Sequence, residues 1–138
     1  MIGVLYLSLA AIVAGLSLWR PDGEYRTAAL KFVGASVGTT LIYGATGANW
    51  TAFPLLITIV DGGAMAILGY LALTSKRFWP LWIASLQLVA LFSHFSSRLA
   101  PNAASYAIGI IQGASGWVQL VILFLVGIAL GTSPRQAT

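Results

Sequence analysis

The stretch "TAFPLLITIVDGGAMAILGYLALT" (residues 51–74) decides how this chain is read. It is mostly apolar, yet Asp61 sits near its middle, followed by Gly62 and Gly63. In a soluble protein Asp-Gly-Gly marks a turn. Here the apolar flanks are long enough to carry a helix through hydrocarbon, which takes about 20 residues. The stretch therefore reads as a transmembrane helix holding a carboxylate deep in the bilayer.

Composition supports the same solvent. Of 138 residues, 59% are hydrophobic and only 7% are charged. An ordinary soluble domain carries about 25% charged residues. So few charges cannot cover so much apolar surface, and the chain is expected to be an integral membrane protein.

Five apolar segments stand out, at approximately 2–19, 27–48, 51–74, 79–99 and 105–131. The predicted fold is accordingly all-α, a single domain of five transmembrane helices in one bundle. Pro54 and Pro80 fall where opening turns tolerate a missing N–H. Pro101 follows the fourth segment, and Gly131 and Pro134 close the fifth. The polar run "RPDGEYR" (20–26) separates the first two segments. The start of the chain resembles a signal peptide but lacks a basic leading region, so it reads as a retained first helix.

Basic residues give the orientation, because Lys and Arg near span ends stay in the cytoplasm. Arg20, Arg26, Lys31, Lys76, Arg77 and Arg135 fall on one side, and Arg98 alone on the other. The N-terminus is expected outside and the C-terminus in the cytoplasm, in a bacterial inner membrane. Trp19, Phe78, Trp79 and Trp82 would form the inner aromatic belt, and Trp50, Phe53 and Tyr106 the outer one. Trp117 falls near mid-membrane and is expected to face other helices.

Small residues suggest close helix packing. Gly34 and Gly38 form one GxxxG pair, Gly109 and Gly113 a second, and Gly116 follows. Such residues let backbones approach where lipid supplies no hydrophobic drive. Their expected role is packing inside the bundle, with docking of a partner or a second copy as the alternative. Gly62 and Gly63 would thin the third helix beside Asp61.

Asp61 lies about ten residues into its segment, roughly 13–15 Å from the outer boundary at 1.5 Å per residue. A carboxylate there costs roughly 2.5–3.5 kcal/mol, so it needs a proton, a partner or a wet cavity. The fourth segment offers Gln87 and His94, seven residues apart on one helix face. The fifth offers Gln112 and Gln119 at the same spacing. Asp61, Gln87, His94, Gln112 and Gln119 thus form a candidate polar cluster, while Arg98 snorkels to the interface.

Other chemistry lacks its parts. The chain has no cysteine and one histidine, too few for a metal site of three protein ligands. His94 offers one axial position to a haem or related pigment, and the chain supplies no second. No phosphate loop or nucleophile motif is present. The net charge of +4 is scattered at segment ends rather than gathered into a nucleic-acid patch. No enzyme activity, metal or cofactor is expected. The sequence favours a non-catalytic accessory or structural subunit, with the bilayer and other membrane subunits or further copies as partners. The alternative is a small proton- or ion-coupled transporter or channel using Asp61 and His94.

Overall fold

The computed structural model describes residues 2–46, 54–99 and 104–132, with side chains over 4–42, 55–95, 110–111 and 113–131. Among these residues the fold is all-helical, with five helices and no strand. They are α1 (Ile2–Trp19), α2 (Gly23–Thr46), α3 (Pro54–Thr74), α4 (Trp79–Leu99) and α5 (Ala104–Thr132). Helices α1 and α4 have the anticipated bounds, and α3 opens on Pro54, the proline assigned to its first turn.

Helix α2 differs. It starts at Gly23, four positions before the expected Thr27, and takes half of the polar run into its first turn. The reason is Asp22. Its carboxylate accepts a hydrogen bond from the Tyr25 N–H at 2.9 Å, and its carbonyl accepts from the Arg26 N–H at 3.0 Å. That is an N-cap, worth about 1 kcal/mol. Asp22 also pairs with Arg77, whose side chain is 43% exposed, so the ion pair itself adds little. Asp22→Ala should therefore lower stability by about 1 kcal/mol, whereas Asp22→Asn, an equally good cap, should be nearly neutral. Denaturant titration of the two variants separates cap from ion pair.

The helices pack as a closed ring. Helix α4 lies between α3 and α5, α1 joins α5 to α2, and α2 returns to α3. The connections α1–α2 and α3–α4 meet at one end, where Glu24 accepts from the Ser75 hydroxyl at 2.8 Å and Asp22 pairs with Arg77. The core fills the half of the bundle next to this charged end. Val13, Tyr25, Ala28, Leu68, Ile83, Leu120 and Leu123 are its most buried members.

Two helices contain segments long and apolar enough to cross a bilayer, Leu55–Thr74 in α3 and Gly113–Gly131 in α5. Five spans were anticipated. The apolar runs of α1 and α4 are shorter, Val4–Trp19 and Trp79–Phe95. Helix α2 carries Glu24, Arg26 and Lys31 in its first turns. Only 22% of the α3 segment and 28% of the α5 segment are buried, so neither is the enclosed core helix of a soluble fold. The outer surface is correspondingly greasy: Leu73 is 89% exposed, Trp19 81% and Phe78 70%.

Candidate functional site

Helix α3 passes through Asp61-Gly62-Gly63 unbroken. Asp61 stands seven positions after Pro54, about 10 Å along the axis at ~1.5 Å per residue. Its carboxylate turns toward α4, where Gln87 and His94 lie two turns apart. The Gln87 amide donates to Asp61 Oδ1 at 3.2 Å and to the Asp61 carbonyl at 3.4 Å. His94 Nε2 lies 2.6 Å from Asp61 Oδ2. Both carboxylate oxygens thus have a partner on the neighbouring helix. The side chains of His94 and Asp61 are 12% and 21% exposed, so the pair is neither dry nor open to bulk solvent.

The partly covered side of Asp61 faces a cavity of about 470 Å³ to which all five helices contribute. Tyr6 comes from α1, Phe32 and Ser36 from α2, Asp61 from α3, His94 from α4, and Trp117 and Gln119 from α5. The cavity occupies the half of the bundle away from the charged end, beyond the packed core. Its polar groups are ordered by neighbours. The Tyr6 hydroxyl and the Ser36 hydroxyl share a hydrogen bond at 3.0 Å. The Tyr6 ring meets Trp117 edge-on, with centroids 5.2 Å apart and planes at 77°. Gln119 is only 1% exposed, and its Oε1 has no partner among the described residues.

The structure therefore brings Asp61, Gln87 and His94 into direct contact and sets Gln119 in the wall of the same cavity. Gln112, Arg98 and Gly109 fall outside the residues whose side chains are described, as do Trp50, Phe53 and Tyr106 of the expected outer belt. Trp117 faces other helices, as its depth suggested. Sequence reasoning missed Tyr6 and Phe32, because an aromatic in an apolar run carries no spacing signal that separates a cavity wall from a core.

The glycines sort into open and crowded positions among the described residues. A Cβ built at Gly34, Gly38, Gly62, Gly63 or Gly113 meets no described atom within 4 Å. Among the described residues nothing packs closely on these five positions. Gly116 makes an ordinary one, 3.7 Å to the Tyr6 hydroxyl. The crowded positions are Gly127, against Tyr25, and Gly131, against Arg20. Alanine at Gly34 or Gly38 should thus be tolerated or mildly stabilising, since glycine costs about 1 kcal/mol in a helix interior relative to alanine. Thermal unfolding of Gly34→Ala and Gly38→Ala tests this directly.

Chemically, a carboxylate beside an imidazole can hold and release a proton, because histidine can donate or accept at either ring nitrogen. Among the described residues no group of three or more His, Asp or Glu gathers as a metal site. Comparison with protein-family models, characterised proteins and solved structures finds no match for this chain.

Proposed function

We propose that the chain is a five-span protein of a bacterial inner membrane, N-terminus outside, that works as a small proton-coupled transporter. Its exchangeable proton rests on the Asp61–His94 pair. One observation carries the reading: the carboxylate is bonded to two groups of α4 and also lines a cavity of about 470 Å³. A purely structural node would be enclosed by packed protein with no cavity beside it. Intramembrane ionisable groups that face a cavity mark ion and proton routes.

The five-span topology draws support from the ring, in which consecutive helices adjoin and α1 runs parallel to α5, and from the charged end. Arg20, Asp22, Glu24, Arg26 and Arg77 all collect there, on the side where basic residues anchor a membrane protein to the cytoplasm. Helix α4 packs on α3 and α5, α1 on α2 and α5, and α2 on α1 and α3, and the exposed belt of Trp19, Phe78 and Trp82 sits at the headgroup level. No catalytic step is assigned to the protein.

A second reading, an accessory or self-associating subunit, rests on a different surface. Gly34 and Gly38 open outward on α2 with no described neighbour, which leaves room for a partner helix. The two readings are compatible, since a carrier can also assemble.

The test is flux. Purified protein in liposomes should dissipate an imposed pH gradient, read by a trapped pH dye, faster than protein-free vesicles do. A gradient that decays equally in both removes the transporter reading and leaves the subunit reading in its place.

A further inference from the structure

We propose that the cavity beside Asp61 takes an amphipathic organic ammonium, and that this cation and the proton of the Asp61–His94 pair occupy the site in turn. The inference rests on the proton-carrying role given to the pair and names the substrate class of the same site.

Size comes first. A cavity of about 470 Å³ falls within the roughly 300–1,000 Å³ of small-molecule sites. Its apolar walls carry three aromatic rings, Phe32, Tyr6 and Trp117, beside the aliphatic Leu7 and Ile57. Tyr6 is held by Ser36 and by the edge of Trp117, so the platform exists before a ligand arrives. Aromatic faces attract cations most strongly when water is excluded.

Charge comes next. Among the described residues the titratable groups lining the cavity are Tyr6 from α1, Asp61 from α3 and His94 from α4, with none from α2 or α5. The carboxylate repels an anion. A neutral ligand leaves an ionised Asp61 without an offsetting charge in a place where charge is costly. A cation supplies it, and so does a proton. When the ammonium enters, a proton leaves the pair for solvent, one positive charge in and one out.

Gln119 refines the class. Its buried Oε1 lacks a partner among the described residues, and terminal amide torsions are soft. Turned toward the cavity, it accepts an N–H. The ligand is therefore a protonated amine with N–H donors rather than a quaternary cation.

The experiment is calorimetric titration of the full-length protein in nanodiscs with phenethylammonium, run in buffers of different ionisation enthalpy. Saturable binding is expected, with about one proton released per cation bound, since the two ligands exclude each other. Asp61→Asn, checked for an unchanged unfolding midpoint, should bind roughly tenfold or more weakly. Phenethyl alcohol should give no saturable signal beyond partition into lipid. Gln119→Leu should weaken the ammonium but not its trimethylated form. Equal binding of alcohol and ammonium, or unchanged binding by Asp61→Asn, overturns the proposal. Proton flux is read with phenethylammonium present on both sides of the membrane, since exchange needs both ligands; binding intact without such flux sinks the transporter reading alone, and flux intact without ammonium binding sinks this inference alone.

Discussion

Asp61→Asn should reduce the decay of an imposed pH gradient to the rate of protein-free vesicles while the protein stays folded. The substitution is isosteric. An amide oxygen still accepts from Gln87, which now lies 3.2 Å from Oδ1, and an amide nitrogen can donate to His94 Nε2 where Oδ2 stood 2.6 Å away. The asparagine keeps both contacts across the α3–α4 seam but cannot take up a proton, so geometry and proton capacity are separated. Asp61→Leu does the opposite of a clean test. It removes the carboxylate that bonds Gln87 Nε2 and His94 Nε2 in a largely buried seam, at about 1–3 kcal/mol for a lost buried partner, and should lower the unfolding midpoint visibly. His94→Gln preserves a hydrogen bond to Asp61 without a titrating ring. It should retain measurable flux with an altered pH profile. If Asp61→Asn transports as well as the wild type, the seam is glue, and Asp61 holds helices together rather than carrying protons.

This site was legible in the sequence to the extent that helix periodicity reaches. Gln87 and His94 are seven residues apart, two turns of helix, so one face had to carry both. Depth counting then placed Asp61 opposite them. What periodicity cannot supply is which helices adjoin. Tyr6 and Phe32 enter the cavity only because the ring closes α1 onto α5 and α2 onto α3, and nothing local to either residue announces that closure. The glycines meet the same limit. A GxxxG pair creates a smooth patch on a helix, but whether a neighbour lies on the patch depends on the helix's rotation in the bundle. At Gly34 and Gly38 a Cβ would meet no described atom within 4 Å, while contact falls on Gly127. Asp22 shows the reverse case. The chemistry of its cap is local and was there to be read, yet the charges beside it made "RPDGEYR" look like a loop.

Gly127 should be the least replaceable residue of the bundle. A Cβ there would lie 2.9 Å from Tyr25 Cζ and 3.1 Å from Leu16 Cδ1, with the Tyr25 hydroxyl nearer still. Side-chain ends can often swing aside, but Tyr25 is 0% exposed and its ring packs edge-on to Trp79 at 6.4 Å, between Ala28, Ala29 and Leu123 in the core. Overpacking a site of this kind costs about 1–3 kcal/mol, so Gly127→Ala should lower the unfolding midpoint and Gly127→Val should lower it further. The partner identifies the cause. The Tyr25 hydroxyl is buried with no hydrogen-bond partner among the described residues, so Tyr25→Phe alone should be neutral or slightly stabilising, because it removes an unmatched polar atom. Combined with Gly127→Ala it removes the atom that clashes most. The double variant should recover part of the loss, with a coupling of about 0.5–3 kcal/mol between the two positions. Strict additivity in that cycle would mean that α5 does not approach the base of α2 this closely. The packed core would then no longer seal the charged end of the bundle, and the cavity beyond it would run further toward that side of the membrane.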